Sequence, residues 1–308
     1  MEAAVIGAID IGGTKIAAGV VDAGGRVLTR TEWPTNADAR EALSRMGVFL
    51  LGCGFKLEGI GVGCTGPVDP ATGVVGDVDL LPGWSGYGLV EHLTALTGLP
   101  VAMENDADAA ALAEANWGVG AGARRFLYVT ISTGIGAGIV LDGELYRGVD
   151  GSHPELGHQT IDASGPRCYC GATGCWESLA SGPALEAWMR TNGAPAGLSA
   201  REICDLARSG DPLAVRATSR QAEYLGIGLA NLVTVFCPDV IALGGGVMES
   251  ASLLLEAARE EVRKRCGLVP FEKVTIVPAS LGRDVALLGA ARVWQTRFQE
   301  SGVKIDAS

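Results

Sequence analysis

The chain of 308 residues is poor in basic side chains: 24 Lys and Arg stand against 35 Asp and Glu, which gives a formal net charge of −11. A protein that coats a phosphate backbone needs clustered Lys and Arg, so this composition argues against nucleic acid as a partner. Any phosphate that the protein handles must therefore be held locally, by backbone amides and a metal ion. The acidity itself favours solubility.

Long apolar runs are missing as well. The longest uncharged runs, at residues 126–141 and 225–238, are interrupted by Gly, Ser, Thr or Asn. A membrane span needs about 20 largely apolar residues, so we expect no membrane association. No basic segment precedes the first apolar strand, and we therefore expect no secretory signal and a cytoplasmic location. Aromatic residues are scarce at 6%, whereas 48% hydrophobic residues and 45 glycines are typical of an α/β protein with a substantial core.

Two segments of the chain are similar to each other: residues 8–21 read AIDIGGTKIAAGVV, and residues 128–141 read YVTISTGIGAGIVL. Each contains an apolar strand, a turn of Gly, Ser or Thr, and a second apolar strand, which is the pattern of a β-hairpin. Alignment of the two segments puts Asp10 opposite Thr130. The repeat predicts a duplicated α/β lobe, with a nucleotide held between two similar hairpins.

No linker rich in Pro or Ser separates independent domains, so we expect two closely packed lobes with a boundary near residues 118–122. The small α/β lobe would comprise residues 1–118 and a C-terminal helix at about residues 290–308. The large α/β lobe would comprise residues 119–289 and would carry a loop rich in cysteine.

Three glycine-rich turns are suited to hold a nucleotide, because glycine lets backbone N–H groups approach phosphate without a clash at Cβ. Their residues are Asp10, Gly12, Gly13, Thr14 and Lys15 in the first turn, Thr133, Gly134 and Gly136 in the second, and Gly244, Gly245 and Gly246 in the third. Asp10 follows a buried strand and is placed to hold Mg²⁺, through water. Each turn alone would pass for an ordinary chain reversal. Repetition in a duplicated lobe favours a nucleotide site.

Asn105 and Asp106 lie where a predicted strand at residues 100–104 gives way to a predicted helix at residues 106–117. Such a pair often caps a helix, and the helix dipole favours an ionised carboxylate in the first turn. The alternative is chemical: Asp106 would accept a proton from an attacking hydroxyl while Asn105 holds a sugar. The spacing alone leaves both interpretations open.

One histidine and three of the eight cysteines form a set of ligand types that suits tetrahedral zinc: His158, Cys168, Cys170 and Cys175. Four protein ligands fill the coordination shell, so the ion would be structural. It would pin a loop that bears Glu155 and Glu177, and the second ring nitrogen of His158 would be available to a substrate hydroxyl. Buried thiols without a metal remain the alternative, because Cys-x-Cys is not the commonest zinc spacing.

Together these motifs resemble the ROK family of repressors, uncharacterised reading frames and sugar kinases, nearly from end to end. The resemblance is carried by AIDIGGTKIAAGVV, MENDADAAALAE, VTISTGIGAGIVLDGELYRGVDGSHPELGH, CYCGATGCWE and VIALGGG. It implies an actin-like, ribonuclease-H-like fold of two duplicated lobes that closes on a sugar. It also implies ATP with Mg²⁺, a structural Zn²⁺, a small-molecule sugar substrate and a homodimer.

The resemblance also implies roles for single residues. Asp106 would be the catalytic base, and the sugar contacts would be Gly66, Asn105, Glu155, His158 and Glu177. The same match gives His158, Cys168, Cys170 and Cys175 as zinc ligands. The expected reaction is ATP-dependent phosphorylation of a hexose hydroxyl, with glucose converted to glucose 6-phosphate as the leading candidate.

One segment departs from the pattern of the family's glucokinases and weakens the prediction that glucose is the substrate. His153 and Pro154 precede Glu155, and a His-Pro-Glu run is more typical of the fructokinases of the family. Kinases for fructose, mannose, N-acetylmannosamine or N-acetylglucosamine are therefore alternatives. A sugar-sensing ROK regulator is disfavoured by the acidic charge and by an apolar strand that begins by Val5, ahead of which no helix-turn-helix is expected. An actin-like or chaperone-like ATPase would not need the cysteine-rich loop.

Overall fold

The computed structural model describes residues 5–36, 38–77 and 79–300. It contains two compact units: unit 1 comprises Met1–Ala121 and Leu281–Ser308, and unit 2 comprises Gly122–Ser280. The chain returns to unit 1 at Leu281, ahead of the residue 290 expected from the sequence. Among the residues described, none of the helices combines the length and the apolar character that a membrane span requires.

Unit 1 is built on a five-stranded sheet. Its strands are β1 (Val5–Ile11), β2 (Lys15–Asp22), β3 (Val27–Pro34), β4 (Ile60–Cys64) and β7 (Val101–Asn105), with a separate small hairpin of β5 (Val68–Asp69) and β6 (Val74–Val75). Its helices are α1 (Ala39–Gly52), α2 (Leu89–Thr97), α3 (Asp106–Trp117) and α9 (Val285–Gln295), which continues as a π-helical turn at Thr296–Glu300. The strand order is β3-β2-β1-β4-β7, in which β1, β4 and β7 are parallel.

Unit 2 repeats this sheet. Its strands are β8 (Arg125–Ile131), β9 (Ile135–Leu141), β10 (Glu144–Leu145), β11 (Val240–Gly244) and β12 (Thr275–Pro278), in the order β10-β9-β8-β11-β12. Its helices are α4 (Trp176–Ala180), α5 (Gly182–Thr191), α6 (Ala200–Arg208), α7 (Pro212–Phe236) and α8 (Ala251–Arg265). Short 3₁₀ turns lie at Val149–Gly151, Leu156–His158, Gly246–Ser250 and Phe271–Lys273 in unit 2, and at Gly282–Asp284 in unit 1.

The pairing of the strands confirms the predicted repeat. Asp10, next to last in β1, lies opposite Gly63 at the end of the parallel strand β4. Thr130, next to last in β8, lies opposite Gly244 at the end of the parallel strand β11. Asp10 and Thr130 therefore occupy equivalent positions in the two sheets, as the alignment of the two hairpins predicts. Each sheet also buries a hydrophobic core of its own.

A fully buried carboxylate, that of Glu114 in α3, fastens both ends of the interruption in unit 1. Its Oε2 accepts a hydrogen bond from the backbone N–H of Val119 at 3.1 Å, just before the chain leaves the unit. Its Oε1 accepts one from the N–H of Leu281 at 2.8 Å, where the chain returns. This second bond explains why the return comes earlier than predicted, since the residues ahead of α9 are already tied to α3.

Helix α9 packs in backbone contact with its neighbours in unit 1. A Cβ added to Gly289 would lie 2.5 Å from the backbone of Ala109 in α3. One added to Gly61 in β4 would lie 1.7 Å from the carbonyl oxygen of Ala290. The absence of these two side chains lets α9 cover β4 and hold α3 by its first turns, directly after Asp106.

We therefore expect Gly289→Ala to destabilise the protein. The added methyl group must displace backbone, and such overpacking costs about 1–3 kcal/mol, more than the roughly 1 kcal/mol that alanine gains over glycine in a helix. Thermal unfolding should show a lower Tm. Gly52→Ala is the matched control, since a Cβ there meets nothing within 4 Å, and its Tm should stay unchanged or rise. Equal Tm values for Gly289→Ala and the parent would contradict this packing argument.

Candidate active site

Two carboxylates lie at the edge of the unit 1 sheet where its parallel strands end. Asp10 is in β1, and Asp106 is the first residue of α3, directly after β7. Gly63 lies between them: a Cβ added there would be 3.7 Å from Cα of Asp106 and 3.9 Å from Oδ1 of Asp10. Burial and, next, the negative charge of Asp106 raise the pKa of Asp10 to about 7. The parallel strand ends thus bring the two predicted acidic residues together.

The helix cap and the acidic group belong to different residues of the Asn-Asp pair. Oδ1 of Asn105 accepts hydrogen bonds from the N–H groups of Ala107 (2.9 Å) and Asp108 (3.3 Å), so Asn105 is the N-cap of α3. Its Nδ2 donates to the carbonyl oxygen of Gly66 at 3.1 Å. Asp106 follows as the first helical residue, and its Oδ1 accepts the N–H of Ala107 at 2.8 Å. Asn105 and Gly66, both predicted sugar contacts, are therefore neighbours of Asp106.

The turn between β1 and β2 is closed by a hydrogen bond from the N–H of Gly12 to the carbonyl oxygen of Lys15, at 3.0 Å. Gly12, Gly13 and Thr14 form this turn. The ammonium group of Lys15 lies 3.2 Å from the carboxylate of Glu32 in β3, and both side chains are largely exposed. Lys15, a predicted phosphate contact, therefore has a protein partner that the sequence analysis did not identify.

In unit 2 the equivalent turn, residues 132–134, is held by a carboxylate. Oε2 of Glu177, in the first turn of α4, accepts the N–H of Ile135 at 2.9 Å. A Cβ on Gly134 would lie 2.5 Å from that same oxygen, and a Cβ on Gly157 would lie 1.9 Å from the carbonyl oxygen of Ile135. The structure therefore brings the predicted phosphate turn and the predicted sugar loop into direct contact.

The four predicted zinc ligands form one cluster. Their ligand atoms all lie within 4.8 Å of one another, in the group His158, Cys168, Cys170 and Cys175. Nδ1 of His158 is 3.6 Å from Sγ of Cys168, and the sulfurs of Cys170 and Cys175 are 3.6 Å apart. Tetrahedral zinc, with Zn–S near 2.3 Å and Zn–N near 2.0 Å, separates neighbouring ligand atoms by roughly 3.3–3.8 Å. The donor set and its spacing fit that ion.

Tyr169, between two of these cysteines, is a residue that the sequence analysis did not select. Its hydroxyl lies 3.0 Å from Nε2 of His158, and the two rings meet edge to face with centroids 5.1 Å apart. Burial of the hydroxyl and the negative charge of Glu177, followed by those of Cys168 and Glu155, raise the pKa of Tyr169 above its usual value. The phenol oxygen of Tyr169 thus lies against His158 and Glu177, two of the predicted sugar contacts, and within the electrostatic influence of the third, Glu155.

Unit 2 also contains a cavity of about 660 Å³. Thr133 of the second glycine-rich turn and Gly246 of the third both line it, so the structure brings these two turns together. The other lining residues include Ser132, Gly182, Pro183, Glu186, Ser199, Arg201, Arg208, Glu249 and Ser250. Most of these come from α5 and α6, helices whose contribution to a site the sequence does not indicate.

Three of the predicted nucleotide glycines have other structural roles. A Cβ on Gly244 would lie 2.3 Å from the hydroxyl oxygen of Tyr128, and one on Gly245, whose φ is 86°, would lie 2.3 Å from the carbonyl oxygen of Ile131. Both glycines are thus required by packing against β8. Gly136 lies within β9, opposite Thr130, rather than in the turn itself.

Comparison with known proteins agrees with these features. The family model described as "ROK family" matches residues 6–297. A glucokinase of Streptomyces coelicolor is 34% identical over 302 residues, which cover 92% of this chain and 95% of the relative. The solved structure of a ROK hexokinase from Thermus thermophilus is 40% identical, with a TM-score of 0.82 over 96% of this chain and 99% of that one.

A ROK family glucokinase from Streptomyces griseus, solved in complex with glucose and AMPPNP, is 34% identical, with a TM-score of 0.81 over 93% of this chain and 98% of that one. Relatives with other names match as well, among them an N-acetylmannosamine kinase of Citrobacter koseri, 36% identical over 94% of this chain and 98% of the relative. The chain has the duplicated actin-like fold of these sugar kinases. It belongs to the ROK family.

The raised pKa of Asp10 makes stability depend on pH. Between the ordinary carboxyl pKa of 3.8 and about 7, the folded chain keeps a proton on Asp10 that the unfolded chain has lost, so the free energy of unfolding falls as pH rises. Asp10→Asn removes this penalty. In buffer without Mg²⁺ and nucleotide, the Tm of Asp10→Asn should equal that of the parent near pH 4 and exceed it at pH 8. Glu256→Gln, which changes an exposed carboxylate, should show no such divergence with pH.

Proposed function

We propose that the chain transfers the γ-phosphoryl group of ATP to O6 of glucose, with Asp106 as the base. The observation that carries the proposal is the pair of adjacent carboxylates at the end of the parallel strands, Asp10 and Asp106, in a chain of the ROK family. Relatives named glucokinase or hexokinase support the broader reaction, ATP-dependent phosphorylation of a sugar. Glucose itself is the narrower part of the proposal.

The two carboxylates would have separate tasks. Asp106 is fixed by the N–H of Ala107 and lies at the positive end of α3, where the helix dipole favours its ionised form. It would accept the proton of the sugar hydroxyl as the sugar oxygen bonds to the γ-phosphorus and the bond to the departing ADP breaks. Asp10 would hold Mg²⁺, which neutralises phosphate charge when bound with ATP.

Binding would use both sets of predicted contacts. Glu155, His158 and Glu177, gathered around the Tyr169 hydroxyl, would receive sugar hydroxyls. Asn105 has only one amide hydrogen left for a sugar, because its oxygen caps α3 and its other hydrogen is donated to Gly66. The cavity of about 660 Å³ beside Thr133 and Gly246 would take part of the nucleotide.

The base assignment is tested with Asp106→Asn, which keeps the shape of the side chain and removes its basicity. We expect kcat to fall by about 10²–10⁴-fold while sugar binding, measured by calorimetry, stays near that of the parent. Asp211→Asn is the matched control: Asp211 caps α7 through Oδ1, and asparagine caps equally well. A kcat for Asp106→Asn close to that of the parent would refute the assignment.

The substrate is tested in the same assay, as ADP release with glucose, mannose, fructose, N-acetylmannosamine and N-acetylglucosamine. We expect the highest kcat/KM with glucose. Preference for fructose would point to the run of His153 and Pro154 ahead of Glu155. Preference for N-acetylmannosamine would match the relative that bears that name. The homodimer that the resemblance implies remains part of the proposal.

We further propose that the cluster of His158 and three cysteines binds one structural zinc ion. The spacing of the ligand atoms fits tetrahedral coordination. Because Cys175 directly precedes α4, the ion would fix the helix that carries Glu177.

Elemental analysis of the purified chain should find about one zinc ion per molecule. Cys175→Ser removes a buried ligand, and we expect it to lose most of the metal and to show a lower Tm and a higher KM for the sugar, since the loop is then unpinned. Cys237→Ser, at an exposed cysteine outside the cluster, should keep both metal and activity. Full zinc content in Cys175→Ser would exclude the four-ligand site.

A further inference from the structure

The hydroxyl of Tyr169 has an unusual position for so exposed a side chain. The residue is 78% exposed, yet its oxygen is 3.0 Å from Nε2 of His158. The ring touches His158 by an edge-to-face contact, with an angle of 88° between the planes. A ring held by so little packing can turn away once the hydrogen bonds of its hydroxyl to His158 and Glu177 are replaced.

The surroundings of this oxygen match those that a sugar hydroxyl would need. Besides His158, Glu177 hydrogen-bonds to the Tyr169 hydroxyl, and the negative charges of Glu177 and Glu155 favour the protonated form of that hydroxyl. A phenol hydroxyl and a sugar hydroxyl have the same capacity, because each donates one hydrogen bond and accepts others. In this structure the tyrosine oxygen therefore hydrogen-bonds to two of the groups that, under the proposed function, bind the substrate: His158 and Glu177.

His158 can form this hydrogen bond with the Tyr169 hydroxyl or with a sugar hydroxyl, but not with both at once. Its Nδ1 faces Sγ of Cys168, on the side of the cysteine cluster, so Nε2 is the ring nitrogen that remains for a hydroxyl group. A sugar hydroxyl that binds Nε2 must replace the Tyr169 oxygen. Sugar and tyrosine thus compete for one nitrogen atom.

We propose that Tyr169 is a positioning residue of the sugar site that holds His158 while the site is empty and is displaced when a hexose binds. This inference rests on the proposed function, because it takes Glu155, His158 and Glu177 as sugar contacts. The displacement breaks the hydrogen bonds of the Tyr169 hydroxyl with His158 and Glu177, and the sugar hydroxyls replace them, so the net cost is about that of one hydrogen bond. Tyr169 therefore sets the affinity for the sugar without taking part in phosphoryl transfer.

Tyr169→Phe tests the inference, since it keeps the ring and removes the competing hydroxyl. We expect KM for glucose to fall about three- to tenfold, the value of one net hydrogen bond, while kcat and KM for ATP stay within about twofold of the parent. Tyr146→Phe is the matched control: Tyr146 is another partly exposed tyrosine of unit 2, but it packs against Phe236. Its KM for glucose should not change.

Two outcomes overturn the inference. An unchanged KM in Tyr169→Phe would mean that the hydroxyl is irrelevant to binding, and a higher KM would mean that it contacts the sugar directly. Zinc content and Tm are measured beside the kinetics, so that damage to the metal cluster is recognised. If the parent phosphorylates no hexose, the proposed function fails, and glucose binding to parent and variant by calorimetry then tests the competition separately.

An NMR measurement on the parent protein tests the displacement of Tyr169 without any substitution. The chain has three histidines, so labelling them with ¹⁵N gives few imidazole signals, and metal removal identifies that of His158. Glucose should shift the Nε2 signal of His158 as the partner changes from phenol to sugar hydroxyl. No shift at a glucose concentration that saturates the enzyme would refute the exchange.

Discussion

One hydrogen bond, from the backbone N–H of Ile135 to the carboxylate of Glu177, connects the turn of the second hairpin with the helix that follows the cysteine cluster. Its donor is the first residue of β9, directly after the turn of the second hairpin, and its acceptor is the second residue of α4, two positions after the predicted zinc ligand Cys175. The indole of Trp176 is fully buried beside Gly228 of α7, where a Cβ would lie 2.1 Å from the ring. Helix α4 is thereby anchored to the core, and the turn is anchored to the helix. A loop with little regular structure can therefore present carboxylates at fixed positions.

Unit 1 is formed by two separate segments of the chain, because all of unit 2 is inserted between Ala121 and Leu281. The buried carboxylate of Glu114 receives an N–H from each side of the interruption, at Val119 and at Leu281. Helix α9 then returns to cover β4 and contacts α3 through Gly289. The position of Asp106, at the start of α3, consequently depends on residues from the far end of the sequence. Local sequence sets which residue begins the helix, and the returning helix sets where it lies.

The difference between local sequence patterns and contacts from distant parts of the chain explains which features of the fold and the site could be predicted. The hairpins and the bounds of α3 follow from local patterns, since an apolar strand, a capping asparagine and an alanine-rich run each act on near neighbours. Strand β3 was missed because it is an edge strand that is only partly buried and lacks apolar alternation. Lys15 gains its partner, Glu32, from that strand, and Tyr169 gains its position from His158 across a loop. Roles of this kind are created by tertiary contacts and leave no local pattern.

For the Asn-Asp pair, the structure shows which residue caps the helix: Asn105 is the N-cap of α3, and Asp106 is its first helical residue. Oδ1 of Asn105 accepts the N–H groups of Ala107 and Asp108, and Asp106 shares only the first of these donors. Burial and, next, the negative charge of the nearby Asp106 raise the pKa of Asp10. Two neighbouring anions of this kind are unfavourable while no cation is near, and a bound cation reverses the effect by favouring ionised carboxylates. Under the proposed function, the Mg²⁺ that accompanies ATP would supply this cation, and both carboxylates could then be charged together.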